Sequence, residues 1–302
     1  MDTTAARREF ADFLASRRAK LTPEQAGLPI YGGNRRVSGL RREEVALLSG
    51  VSVDYYVKLE RGNARGVSES VLEAIAAALQ LDEAEHIHLF DLARAINTAS
   101  RVPKRGPKPQ VRPSVQRILD SMTTTPAYVR NRRLDILAAN RLGRALISPV
   151  FNDSRRPAST ARFMFLDPAA QDYYRDWESL AADVVAILRA EAGRDPHDKA
   201  LQDLIGELST RSELFRTRWA AHNVRLHRTG VKHINHPVVG ELTLDFDAMA
   251  LPADTGLTIV AYSAEPASPS ADNLRLLASW AATLEQETAA SEPPATQIID
   301  KA

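Results

Sequence analysis

The stretch from Arg42 to Gly62, REEVALLSGVSVDYYVKLERG, constrains this chain more than any other, because it reads as two short helices joined by a tight turn. The first carries Val45, Ala46 and Leu48, and Gly50 supplies the left-handed backbone that a sharp turn needs. Val51 fills the corner, and Ser52 is a natural N-cap for a second helix whose Tyr56 and Leu59 share one face. Ala46 lies one helical turn before Gly50, where only a small side chain lets the two helices pack closely. Tyr56 and Leu59 then fall on the buried side of the second helix. This spacing is the helix-turn-helix geometry, in which the second helix lies in the DNA major groove. An ordinary helical hairpin is the plain alternative. The Gly-Val-Ser turn and the Leu-Glu-Arg-Gly ending together favour the motif.

A chain of 302 residues is long enough for two ordinary domains. With no cysteine it can form neither a disulfide nor a thiolate metal site. No apolar run approaches the roughly 20 residues that span a membrane, and the start lacks an apolar signal core, so a cytoplasmic location and no membrane partner are expected. Net charge is +1 but unevenly shared. Residues 1–113 hold 18 Lys/Arg and 14 Asp/Glu, net +4; the remainder holds 21 and 24, net −3. A basic front on a slightly acidic back suits a DNA-binding head carried by a body with another task.

The head is predicted to comprise five short helices within residues 1–98. The first runs from Arg7 to Lys20, with Phe10, Phe13, Leu14 and Leu21 on one stripe. A Pro- and Gly-rich insert follows, and its Arg35 and Arg36, with Arg41, either reach DNA phosphates or decorate a solvated loop. Ser68 caps a helix burying Val71, Leu72, Ile75 and Leu79. Asp82 and Glu85 form a capping box for the last, expected to bury Ile87, Phe90 and Ile96.

Residues 99–113 form a linker rich in proline and basic residues, either a semi-rigid spacer or a nonspecific phosphate contact. Residues 114–285 make the body, and 286–302 a disordered tail. The body opens with a helix from Val115 to Met122. Two strands, Tyr128–Asn131 and Leu134–Ala139, then turn at Arg132–Arg133, and Asn140 starts a helix ending near Leu146. Residues 167–221 carry helical periodicity. Beyond Ala221 the period becomes two: Leu242, Leu244 and Phe246 alternate with polar residues, and Leu257–Tyr262 follows a turn. Strands, helices, then strands imply an α+β fold, one antiparallel sheet covered by helices on one side. His222, His227, His233 and His236 crowd one segment, but none pairs at helical spacing with a nearby acid, so no metal site is expected. No phosphate loop or nucleophile elbow appears, so no catalytic residue, cofactor or enzymatic activity is expected.

Residues 7–97 resemble the Cro/lambda-repressor-type (Xre) helix-turn-helix family. The insert and the phrase Gly39-Leu40-Arg41-Arg42-Glu43-Glu44-Val45-Ala46 narrow the resemblance to MmyB-like transcription regulators, in which such a head is joined to a PAS-like ligand-binding domain. Further matching phrases are Asp135–Asn140, Phe165–Pro168, Asp176-Trp177, Ser212 to Phe215, Trp219 to Val224, and His236 to Gly240. The resemblance implies that Ser52, Val53, Asp54, Val57 and Lys58 read base edges, with Tyr55 against the backbone and Arg42 beside Arg41 at the phosphates. Val53 and Val57 suit thymine methyls, Lys58 suits guanine or phosphate, and Asp54 can accept only from cytosine. Arg18 and Glu60 match a structural ion pair. Asn223 departs from the Asp usual there. The resemblance further implies an apolar pocket, with Asn140, Phe163, Phe165, Trp177, Trp219, His222 and His236 as candidate lining and a fatty-acyl chain as one ligand type; each could equally be plain core. The expected protein is a homodimeric regulator that binds a double-stranded operator and a small apolar effector. The alternative is a DNA-binding protein whose body serves only dimerisation or protein contacts.

Overall fold

The computed structural model describes residues 3–29, 35, 37–98, 110–224 and 228–291. The helices α1 (Thr3–Lys20), α2 (Arg42–Leu48), α3 (Val53–Glu60), α4 (Glu69–Ala78) and α5 (Glu83–Thr98) open the chain. Next come α6 (Pro113–Ser121), β1 (Ala127–Arg130), β2 (Ile136–Ala139), α7 (Arg141–Leu146), α8 (Thr160–Leu166) and α9 (Ala169–Tyr173). Then follow α10 (Trp177–Arg194), α11 (Lys199–Arg211), α12 (Glu213–Ala220), β3 (Thr229–His236), β4 (Gly240–Ala250), β5 (Thr258–Ser263) and α13 (Pro269–Ser291). They gather into two compact units. One comprises Met1–Lys108, Met164–Leu166 and Glu178–His227; the other Pro109–Phe163, Asp167–Trp177 and Arg228–Ala302. Most of the expected linker, and the tail beyond Ser291, lie outside the described residues.

In the first unit α1 buries Phe10, Phe13 and Leu14. The turn between α2 and α3 forms as its sequence requires. Gly50 takes φ +65°, and the Val51 amide reaches back to the Ala46 carbonyl at 3.1 Å. Ser52 caps α3 by accepting from the Tyr55 amide at 3.2 Å. Gly62 ends α3 at φ +82°, where an added Cβ would stand 2.3 Å from the Arg7 carbonyl oxygen. Only glycine lets that end of α3 sit so close to α1. The Asp82–Glu85 box is present, each backbone amide donating to the other side chain at 3.3 and 2.8 Å.

The face of α5 is rotated from the expected one. His88, Leu89 and Leu92 are buried with Ile96, whereas Phe90 is half-exposed and stacks on His86. The rotation arises because α5 packs against α1, where Phe13 meets the His88 ring edge-on at 5.0 Å.

His88 has neither ring nitrogen hydrogen-bonded among the described residues. Burial pushes its pKa down to about 3; Glu9 opposes this, while Arg189, Arg17 and His222 add to it. The unfolded ring takes its proton near 6.5 and the folded one does not, so the stability held above pH 6.5 falls as pH drops towards 3. Between pH 7 and pH 4.5 the loss is expected to be about 2–3 kcal/mol at ~1.4 kcal/mol per pH unit. Urea unfolding at the two pH values checks it, with His88→Leu removing most of the difference. Equal pH dependence in the variant would assign the effect elsewhere.

The second unit is built on an antiparallel five-stranded sheet of order β2-β1-β5-β4-β3. Register places Tyr128 opposite Val260, and Phe246 opposite Tyr262, so these share a face with Leu242 and Leu244, all buried. The other face offers Val129 and Ile259, on which Val115 and Leu119 of α6 pack. Helical cover on one side only is therefore corrected: α6 closes the second face over β1 and β5, while Glu241, Thr243, Asp245 and Asp247 of β4 stay exposed. The sequence had suggested neither β3, whose burial barely alternates, nor α8 and α13. Leu274, Leu277 and Ala281 of α13 are buried, and the helix continues to Ser291, into the expected tail.

Candidate nucleic-acid interface and ligand site

The helix α3 has two faces with different duties. Tyr56 and Leu59 point into the core, and Glu60 beside them has a side chain only 2% exposed. Arg18 Nε donates to Glu60 at 2.6 Å, and Arg42 Nε donates to its other oxygen. Arg18 also donates to the Leu40 carbonyl at 2.9 Å. The expected Arg18–Glu60 pair thus exists, and Arg42 is drawn into it. On the opposite side Ser52, Val53, Asp54 and Lys58 are exposed and Tyr55 and Val57 half-buried. Val53, an apolar side chain on this outward side, is 46% exposed. Leu47 on α2 is also exposed, at 73%, which sequence spacing had not suggested.

The arginines expected at phosphates divide. Arg35 is held on Glu44 by two hydrogen bonds of 2.8 and 2.7 Å, and donates to the Val37 and Gly39 carbonyls. It staples the insert onto α2. Glu44 also accepts from the Arg41 amide at 2.6 Å, closing the start of α2. Arg41 makes a loose, exposed contact with Glu43 at 3.5 Å. Arg36 lies outside the described residues. Arg61 and Arg65, exposed just beyond α3, are cations that the motif reading passed over; the Leu-Glu-Arg-Gly ending was their signal.

The residues suggested for an apolar pocket fall in both units. In the second, Asn140 is a structural hub. Its Oδ1 accepts from the Ala127 and Gly143 amides at 3.1 and 2.6 Å, and its Nδ2 donates to the Met122 and Thr125 carbonyls at 2.7 Å each. Four backbone bonds use all its capacity, so it ties β1 to the start of α7 rather than greeting a ligand. His236 is likewise occupied, between the Ala145 carbonyl (3.0 Å) and the Val238 amide (3.2 Å), and burial lowers its pKa. It nevertheless lines a cleft of about 600 Å³ with Pro149, Tyr173 and Asn235. Phe163 packs edge-on against Tyr173 and Tyr174. Trp177 begins α10 at the edge of this unit.

In the first unit Phe165 meets Phe215 edge-on at 5.1 Å, and Phe215 stacks on Trp219 at 5.5 Å. The Arg189 guanidinium lies 4.1 Å over the Trp219 ring. It also pairs with Glu9 of α1, donates to the Trp219 carbonyl and reaches His222 Nδ1 at 3.0 Å. Arg17 donates to the His222 carbonyl at 2.5 Å and pairs with Glu85. Burial alone would raise the Glu9 pKa, but His222 and Arg189 outweigh it and hold the carboxyl at about 2. Asn223 accepts from Arg17 at 3.3 Å and from Lys20. That position, where the resembled family often has Asp, thus has a polar role here as an acceptor for two cations.

A helix-turn-helix domain family matches residues 9–89. The MmyB-like transcription regulator ligand binding domain matches residues 111–277, more than half of the chain. The chain belongs to the MmyB-like transcription regulators. It is thus a transcription regulator with a DNA-binding helix-turn-helix head and a ligand-binding domain. No curated protein matches the chain. The MmyB-like match begins at Val111 and runs through α10, α11 and α12, which by packing complete the unit that holds the head. Both matched families are regulatory rather than enzymatic. No described helix is long and apolar enough to cross a membrane.

Proposed function

We propose that this MmyB-like regulator binds a duplex operator as a homodimer, reads it with α3, and changes its operator affinity when a small apolar effector, of which a fatty-acyl chain is one kind, is bound. It acts in the cytoplasm and catalyses no reaction. The observation that carries the reading is the division of α3. One face is locked in the core through Tyr56, Leu59 and the Arg18–Glu60–Arg42 cluster, and the other presents Val53, Asp54, Val57 and Lys58 outward. A recognition helix needs that combination of rigidity and exposed, chemically varied edge. One such head covers a small interface, so useful affinity needs two half-sites about one or several helical turns apart.

Val57→Ala and Lys58→Ala are expected to relax sequence preference, each base contact contributing about 1–3 kcal/mol of discrimination. Arg61→Ala is expected to weaken binding to all sequences alike and to flatten the salt dependence by about one unit. Footprinting and salt titrations on the preferred site separate the two classes. If Lys58→Ala keeps the preferred sequence and only flattens the salt slope, Lys58 touches phosphate. Equal affinity for random DNA at physiological salt would end the operator reading.

A further inference from the structure

We infer that Arg17 is a positioning residue for operator binding, and that with its neighbour Arg18 it relays the state of the ligand-binding domain to α3. The inference rests on the ligand-responsive reading above and names the residues that carry the response. The two arginines are adjacent on α1 and serve opposite ends of the route. Arg18 donates to Glu60 of α3 at 2.6 Å and to the Leu40 carbonyl at 2.9 Å. Arg17, whose side chain is 6% exposed, pairs with Glu85 of α5. It also donates to the His222 carbonyl at 2.5 Å and to Asn223 Oδ1 at 3.3 Å. Lys20, one turn further along α1, donates to the same Asn223 oxygen.

Residues 222–224 are where this grip acts. They follow α12, and β3 of the sheet opens at Thr229, close behind in sequence; the match to the ligand-binding domain covers both. Val224 is buried in the same core as Phe10, Phe13 and Leu14 of α1. The lead-in to β3 is thus anchored in the head by an apolar plug and by polar contacts to α1. His222 stands in the left-handed region at φ +51°, just after a helix end, where glycine is usual. A residue with a side chain is strained there, and such strain persists only under a grip from its surroundings. Arg17 on the carbonyl and Arg189 on Nδ1, at 3.0 Å, supply that grip. The segment therefore has a gripped and a released setting, and only the gripped one fixes Arg17, and with it α1 and the Arg18–Glu60 contact. A change at β3 that pulls on its lead-in shifts the balance towards release. Operator binding, which favours the fixed α3, shifts it back by the same factor.

Asn223 provides the test, because it is exposed and its replacement leaves the core intact. The measurements use the full chain and a duplex that it enriches from a random pool. Asn223→Ala is expected to weaken binding to that duplex about threefold, with affinity for random DNA and the melting temperature unchanged. Asn223→Asp offers Arg17 and Lys20 a carboxylate and should tighten binding about threefold. Its added negative charge would by itself weaken DNA binding, so tightening singles out the grip. In the wild type the duplex should slow hydrogen exchange at the amides of residues 219–224 about threefold, and Asn223→Ala should remove that slowing. A purely structural contact would move neither reading. Unchanged operator affinity in both variants, equal changes on operator and random DNA, or exchange at 219–224 that ignores the duplex would each overturn the relay and leave the operator reading standing. If no duplex is enriched over random DNA, the operator reading fails and the relay with it.

Discussion

Replacing Arg189 with methionine lowers the stability of the full chain by about 3–5 kcal/mol, because it leaves Glu9 charged beside apolar neighbours with its main cation gone. The Arg189 side chain is 0% exposed and serves Glu9, the Trp219 carbonyl, His222 and the Trp219 ring together. Methionine matches the length of the stem but satisfies none of these. Urea unfolding at pH 7 measures the loss, with Arg211→Met, which removes an exposed pair one turn along α11, as the control expected to cost under about 0.5 kcal/mol. The pH profile gives an independent reading. In the wild type the carboxyl of Glu9 titrates at about 2 instead of 4.5, so its contribution is present above 4.5 and disappears as pH falls towards 2. Without Arg189 that contribution shrinks. A loss below about 1 kcal/mol with an unchanged acid limb would show the cluster to be solvated.

Glu60→Ala has the second large effect, about 3 kcal/mol and at the lower end of the range for breaking a buried pair. Arg18 stays mostly buried without its partner, whereas Arg42, more than half exposed, can return to water. The variant should lose operator affinity in proportion to its folded fraction while keeping the same preferred sequence, since Glu60 lies on the buried side of α3. A changed sequence preference would mean that α3 has tilted, and an unchanged melting temperature would put the cluster on the surface.

Local chemistry made the head legible before any coordinates. Gly50, Ser52, the Asp82–Glu85 box and the Arg18–Glu60 pair act within one or two turns of chain or through a repeated spacing, and each stands where it was expected. The rotation of α5 was not legible, because its inward face is chosen by α1 and by helices more than 90 residues further on. The ligand-site residues show the same limit more sharply. Asn140 and His236 read as polar groups awaiting a partner, yet backbone groups at Thr125 and Ala145 already serve them. Composition could not tell that Trp219, His222 and Glu9 would gather around Arg189, nor that Tyr128, Phe246 and Tyr262 would share one buried face of the sheet. What sequence shows well is periodicity and capping; partners brought together across long separations it leaves undetermined.

The unit that holds the head is not continuous in sequence, and this sets an order of events during synthesis. Residues 3–98 leave the ribosome first, but Arg17 meets the His222 carbonyl 205 positions later, and Glu9 meets Arg189 after 180. Until those helices emerge, Glu9 has no Arg189 to pair with and the α1 and α5 faces around His88 lack their cover. A nascent chain stopped before α12 should therefore carry a recognition helix on an unfinished scaffold.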